Sequence, residues 1–227
     1  SYFELHIEQG PELEASGVPL GVVVGGYFSR GMVMEVHGEN AHAGPTPMDK
    51  RRNSLVGASM LVVAANEIGW EYHPEEGKST ATRMLVWPNK PGILPDWAEV
   101  TVDFRHPDKA KTLEMEAKML AAIPGAAKRA NVDIEVTKNW EFGNEVFDAE
   151  CLDLLRRTAR ELDIPYTDML SQAGHDAYHM TRVTPTAMLF SPCKDGISHN
   201  ENEHIELDYT LPSVNVLLHA VIARANR

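Results

Sequence analysis

Glu4-Leu5-His6-Ile7-Glu8-Gln9-Gly10-Pro11 is an apolar, strand-like run that stops at a glycine and a proline. Tyr2, Phe3, Leu5 and Ile7 supply the strand pattern, and the break delivers a histidine and a glutamine to its end. In an α/β fold the ends of strands are where ligands and metals sit. The run therefore predicts a strand over residues 1–9 in an α/β layer, with His6 and Gln9 at the point where chemistry is done.

Working outward, residues 20–24 form a second short apolar run closed by Gly25-Gly26. Residues 31–36 alternate as a half-exposed strand does. A helix start follows: Thr46 as N-cap, Pro47 in the first turn and Asp49 three residues after the cap. Its apolar face runs through Leu55, Ala58, Val62 and Ala65 and ends near Gly69. Residues 81–86 and 98–104 read as strands about a Pro/Gly-rich loop at 88–95. Residues 108–122 read as a helix and 132–136 as a strand. The block is β-α-β-β-α-β, the order of a ferredoxin-like module.

After that block the pattern changes. Residues 148–162 read as a helix, a short strand lies near Tyr166, and a second helix opens at His175-Asp176. Residues 186–190 read as a strand, and 210–225 as a closing helix with Leu211, Val214, Leu218 and Val221 on one face. This tail alternates α and β as a parallel sheet does, and residues 1–25 match it better than the middle does. The expectation is an α/β domain built from 1–25 and 141–227, interrupted by an inserted ferredoxin-like domain at 26–140.

Composition narrows the function. A formal net charge of -12 repels phosphate backbones and anionic lipid surfaces, so nucleic-acid and membrane partners are not expected. No apolar run reaches the roughly 18 residues of a spanning helix. No secretory leader pattern opens the chain, which suits a cytoplasmic protein with Cys151 and Cys193 as free thiols.

The histidines sit in polar, glycine-containing segments rather than apolar stripes. His6 suits a metal ligand at a strand end, or a half-buried histidine satisfied by backbone. In Gly196-Ile197-Ser198-His199-Asn200-Glu201, His199 suits a neutral imidazole ligand held by a neighbouring acceptor, or a solvated acidic loop. In Asn40-Ala41-His42-Ala43-Gly44-Pro45-Thr46, His42 stands just before the expected helix, whose N-terminus disfavours a cation. It suits an oxyanion donor, or a turn residue. Arg105, in Asp103-Phe104-Arg105-His106, suits a fork for a carboxylate, or an ion pair with Asp103 or Asp108. Ala173-Gly174-His175-Asp176-Ala177 opens a helix with small residues, forming an anion-friendly concavity or simply a helix start.

In this order, E-L-H-I-E-Q-G-P at 4–11, H-A-G-P-T-P-M at 42–48, D-F-R-H at 103–106, A-G-H-D-A at 173–177 and G-I-S-H at 196–199 resemble one family. It is the metal-dependent amidohydrolases of the M20 peptidase superfamily, in the branch of N-carbamoyl-L-amino acid hydrolases, allantoate amidohydrolases and β-ureidopropionases. The resemblance implies an incomplete metallo-hydrolase α/β catalytic domain with the inserted module as lid and dimerisation surface. It implies His6 and His199 as ligands to a two-metal site (Mn, Zn, Co or Ni), one to each ion. Gln9, Arg105, Gly174, His175 and Asn89 would bind a small carboxylate substrate, Arg105 through its carboxylate. His42 is similar to the histidine that reaches a partner subunit's site in a homodimer. The family's remaining ligands, an H-x-D pair and several carboxylates, belong upstream of His6. The expectation is thus the C-terminal half of an enzyme, inactive alone and with its metal site incomplete or empty. The loop 88–95 departs from the family pattern P-N-x-x-N-V-I-P, because Gly92 replaces the second Asn. The choice among carbamoyl-amino acid hydrolase, allantoate or ureidoglycolate amidohydrolase and aminoacylase or peptidase stays open, as does a non-catalytic dimerisation module.

Overall fold

The computed structural model describes residues 1–226. In chain order its first elements are β1 (Tyr2–Ile7), α1 (Glu12–Ser16), β2 (Gly21–Gly26), β3 (Phe28–His37), β4 (Ala41–His42) and α2 (Ser54–Tyr72). There follow β5 (Lys78–Trp87), β6 (Ile93–Leu94), β7 (Trp97–His106), α3 (Lys109–Ala130) and β8 (Asp133–Phe142). The last are α4 (Ala149–Glu161), β9 (Thr167–Ser171), α5 (Asp176–Met180), β10 (Thr186–Ser191) and α6 (Leu207–Ala225). The chain divides into two compact units, a discontinuous one of Ser1–Tyr27 with Gly143–Arg227 and a continuous one of Phe28–Phe142. Each has its own apolar core.

In the continuous unit β3, β5, β7 and β8 form an antiparallel sheet in the order β5-β7-β3-β8, and α2 and α3 pack on it. Strict alternation puts Met32, Met34 and Val36 of β3 and Ala98, Val100, Val102 and Phe104 of β7 into the core. They meet Ala58, Leu61 and Ala65 of α2 and Met115 and Met119 of α3. Each large apolar side chain so buried contributes about 1.5–3 kcal/mol.

Two helix expectations in this unit are corrected. The helix expected at Thr46 starts at Ser54, with the Asn53 side chain accepting from the Leu55 N–H at 3.1 Å. Pro47 is extended, and Met48–Lys50 forms only one 3₁₀ turn. The true start is fixed by packing: Ser54 is buried, and its hydroxyl donates to the Pro95 carbonyl at 2.9 Å. The helix expected to stop at 122 continues through Pro124 to Ala130. A proline inside a helix costs about 3 kcal/mol. Burial of Met119 before it and Ala126 and Ala130 after it in one core holds the helix together across the break.

The discontinuous unit holds the sheet β1-β10-β2-β9. It is mixed rather than parallel: β1 pairs β10 and β2 pairs β9 in parallel, but β10 runs antiparallel to β2. Helix α4 begins where Asp148 accepts from the Cys151 N–H at 2.9 Å, and it buries Leu152, Leu154, Leu155 and Ala159. Cys151 and Cys193 are free and buried.

The closing helix forms as expected, from Leu207 to Ala225. Leu211, Val214, Leu218 and Val221 do lie on one face, but that face is exposed. Helix α6 buries Ser213, Val216 and Ala220 instead, against β10, β1 and α4. Small residues let a helix approach its neighbours closely, and here they occupy the inner face.

Candidate active site

The structure places His6 and Gln9 at the end of β1. His6 donates from Nδ1 to the Ile7 carbonyl at 2.8 Å. A carbonyl can only accept, so the proton sits on Nδ1 and the Nε2 lone pair is available to an electrophile. Gln9 adopts the left-handed backbone region (φ 60°), which turns the chain sharply at the strand end. Its amide donates to the Ser198 hydroxyl at 2.9 Å.

That bond ties the strand end to the second histidine segment. Gly196 sits at φ 65°, and a Cβ there would stand 2.6 Å from the Gly10 carbonyl carbon and the Pro11 nitrogen. Only glycine allows so close a backbone approach. His199, exposed and also at positive φ (56°), donates its backbone N–H to the Glu203 carboxylate at 3.0 Å. That bond holds the Glu203 carboxyl below the usual carboxylate range, helped by the Ser198 hydroxyl and to a smaller extent by the His199 and His6 rings. His6, Gln9, Ser198, His199 and Glu203 are therefore one cluster.

His175 packs against His6 edge-on, ring centroids 4.7 Å apart. It is a buried residue. Its side chain is 1% exposed, Nε2 lies 2.8 Å from the Ser171 hydroxyl, and Nδ1 is 3.8 Å from Glu4 Oε1. Burial, and secondarily the His6 ring, lower its pKa to about 4, so it is neutral at pH 7. The anion-friendly concavity expected at Gly174-His175 is also filled from within. Glu4 Oε2 accepts the Ala177 N–H at 2.7 Å, while Tyr2 donates to the same oxygen at 2.9 Å. Gly174 itself is exposed. Glu8, one residue before Gln9, is a structural cap: its carboxylate accepts from the Glu12 and Leu13 N–H groups at 2.7 and 2.8 Å. Sequence reasoning assigned no role to Glu4, Ser171, Ser198 or Glu203.

The other candidates belong to the continuous unit. His42 lies on β4, exposed, twelve residues before α2 begins, so the helix-dipole argument for it fails. The Gly44 N–H donates to its Nδ1 at 3.0 Å. An accepting Nδ1 places the neutral ring's proton on Nε2, and a hydrogen-bond donor results by a different route. Arg105 takes the ion pair foreseen as one alternative, with Nε 2.6 Å from Asp103 Oδ1 and the guanidinium 5.6 Å from the Phe142 ring centre. Asp108 instead caps α3. Asn89 is exposed in the loop before Gly92, which needs its glycine at φ 84°.

As metal ligands, His6 and His199 have the right chemistry, two imidazoles in one cluster with a nearby carboxylate. Sites of this type take about four ligands per ion. Among the described residues, neither histidine belongs to a trio of His, Cys, Asp or Glu ligand atoms all within 4.8 Å of one another. They can contribute to such a site without completing it.

Residues 1–223 match the family described as Peptidase family M20/M25/M40. The chain belongs to the M20 peptidase family. It is 34% identical to an N-carbamoyl-L-amino-acid amidohydrolase of Rhizobium meliloti, covering 99% of this chain and 54% of that protein. It is 29% identical to an allantoate amidohydrolase of Bacillus subtilis, covering 90% and 49%. Among solved structures, an amidase of the hydantoinase/carbamoylase family from Burkholderia vietnamiensis superposes with a TM-score of 0.94 at 41% identity, covering 98% of this chain and 54% of that one. The chain thus has the mixed α/β fold of the M20 carbamoylase-type structures, and it spans about half the length of the curated relatives it matches. None of the helices among the described residues is long and apolar enough to cross a membrane.

Proposed function

We propose that this M20 chain is part of a metal-dependent amidohydrolase that cleaves a carbamoyl or linear amide C–N bond. The favoured reaction converts an N-carbamoyl-L-amino acid and water to the amino acid, carbon dioxide and ammonia. The observation that carries the reading is His6, whose Nδ1–H is held by the Ile7 carbonyl while Nε2 is left as a ligand atom beside the His199 segment. His6 and His199 would hold one divalent cation each, chosen from Mn, Zn, Co or Ni. Two such cations supply a water of lowered pKa and a clamp on the reacting carbonyl. Gln9 would orient the substrate by its amide. Arg105 would grip the substrate carboxylate, with Asp103 fixing the guanidinium through Nε. His42 would donate from Nε2–H to the developing oxyanion. His175 would wall the site behind His6 as a neutral ring, with Gly174 and Asn89 lining it.

The same proposal makes the continuous unit a ferredoxin-like lid and dimerisation domain. Its order β8-β3-β7-β5 with two helices supports the first part. Val56, Val63 and Trp70, exposed at seven-residue spacing on α2, support a homodimer surface. Gly92 offers no side-chain amide in the substrate loop, and the Bacillus subtilis relative acts on allantoate by its name, so allantoate is the second candidate substrate.

The test uses a subunit carrying this chain together with the length of its relatives that it does not span, loaded with each metal in turn. Ammonia release from N-carbamoyl-L-amino acids should exceed that from allantoate; no release from either with any metal overturns the reading. In that enzyme His42→Ala should lower kcat by roughly 10²–10³. A loss under about threefold would remove His42 from the oxyanion role.

A further inference from the structure

The sheet of the continuous unit places three glutamates in a row. Strand register sets Glu35 of β3 directly opposite Glu99 of β7 on one side and Glu135 of β8 on the other. Like charges directly opposed across a sheet are destabilising, so such a row calls for a counter-charge. Glu99 has one in Arg83, 3.3 Å away. Glu35 and Glu135 ion-pair only with a histidine: among the described residues neither pairs with a lysine or arginine. That histidine, His37, is two residues from Glu35 on the same face of β3. Its Nε2 lies 3.3 Å from Glu135 Oε1 and 3.6 Å from Glu35 Oε2.

The Glu135 contact is a long hydrogen bond, since N–H···O bonds centre near 2.9 Å, and the Glu35 contact is an ion pair only. They lie close to two edges of a metal tetrahedron. Metal–nitrogen bonds of about 2.0–2.1 Å and metal–oxygen bonds of about 2.0–2.2 Å put neighbouring ligand atoms roughly 3.3–3.5 Å apart. The ligand atoms of Glu35, His37 and Glu135 all lie within 4.8 Å of one another. The geometry is also braced from outside the trio. Trp97 Nε1 donates to Glu35 Oε2 at 3.0 Å and so fixes the carboxylate, as hydrogen-bonded neighbours do for metal-binding carboxylates.

We propose that Glu35, His37 and Glu135 form a divalent-cation site on the open face of this sheet, with a zinc-type preference and water as the fourth ligand. One imidazole and two carboxylates suit a borderline cation better than an all-oxygen ion such as magnesium. The three ligands come from two neighbouring strands, so the bound cation clasps the edge strand β8 to β3. The site uses none of the residues of the amidohydrolase reading, and it stands if that reading falls.

The test is isothermal titration of the chelator-treated chain with zinc chloride at neutral pH, alongside its His37→Ala, Glu135→Gln and His6→Ala/His199→Ala variants. The expected result is one zinc ion bound by the chain and by the His6/His199 double variant, with affinity falling more than about tenfold in His37→Ala and Glu135→Gln. Zinc should also raise the thermal unfolding midpoint of the parent chain and not of His37→Ala, because only a ligand of the folded state stabilises it. All three positions are partly or fully exposed, so the variants fold. Zinc binding unchanged in His37→Ala and Glu135→Gln overturns the proposal, as does the absence of any zinc uptake by the His6/His199 double variant.

Discussion

Helices α3 and α6 read alike in sequence and pack in opposite senses. Each carries large apolar residues at helical spacing and a proline inside it. In α3 the large residues Met115 and Met119 turn inward onto the sheet of the continuous unit and are wholly buried. In α6 the inner face is Ser213, Val216 and Ala220, while Leu207, Leu211, Val214, Leu218, Val221 and Ile222 form an exposed stripe. The difference teaches that periodicity reports an apolar face without reporting what covers it. The continuous unit roofs its sheet with its own two helices. The discontinuous unit, which carries His6 and His199, buries one face of α6 and leaves the more apolar face open.

Two substitutions sharpen this contrast. The largest effect belongs to α3. Met119→Ala removes a wholly buried side chain and should cost about 3 kcal/mol, within the 2–5 kcal/mol range of such truncations. Urea denaturation followed by tryptophan fluorescence measures it. A cost under about 1 kcal/mol would mean that the turn after Pro124 does not depend on this packing.

A second comparison lies within the discontinuous unit, between its two neighbouring histidines. His6 presents a nitrogen outward, while His175 is sealed beneath it between Ser171 and Glu4. The pKa of His175 falls from 6.5 to about 4 on folding, so between those values the unfolded chain binds the proton that the folded chain refuses. Stability from this group is therefore complete above about pH 6.5 and is lost as pH falls toward 4. Between pH 7 and pH 5 the loss is roughly 2 kcal/mol, because one proton refused by the folded chain costs about 1.4 kcal/mol for each pH step below 6.5. His175→Gln should lose less stability than the parent over that interval by about this amount, read from urea midpoints at the two pH values. Parallel pH profiles for parent and variant would sink the assignment.

The same contrast shows which features were readable in sequence. The strand Tyr2–Ile7 and the break after it were legible because alternation, glycine and proline all coincide there. His6, Gln9 and His199 were legible because their segments combine histidine with turn residues, and the structure gathers them. Helix α2 was misplaced because Thr46-Pro47 with Asp49 is as good a local cap signal as Asn53, and only burial of Ser54 decides between them. The dipole argument for His42 fell with that start. Glu4 and Ser171 were not legible at all. Nothing local says that a strand carboxylate will sit beside a histidine 171 residues later and occupy the helix N–H expected to bind an anion. Those contacts exist only through the pairing of β1 with β10 and of β2 with β9.

The smallest expected effect is the most direct test of the contrast between the two helices. Leu218 lies in the middle of the exposed α6 stripe, at 52% exposure, with Val214 one turn and Leu211 two turns before it and Ile222 one turn after. A leucine with half its surface in water has already forgone much of its transfer free energy, and lysine keeps the helix propensity of the site. Leu218→Lys should therefore change the stability of this chain by less than about 0.5 kcal/mol, against about 3 kcal/mol for Met119→Ala in α3. A stability loss above about 1.5 kcal/mol would mean that the stripe is packed in solution by some part of this same chain, and the two helices would then differ only in which partner covers them.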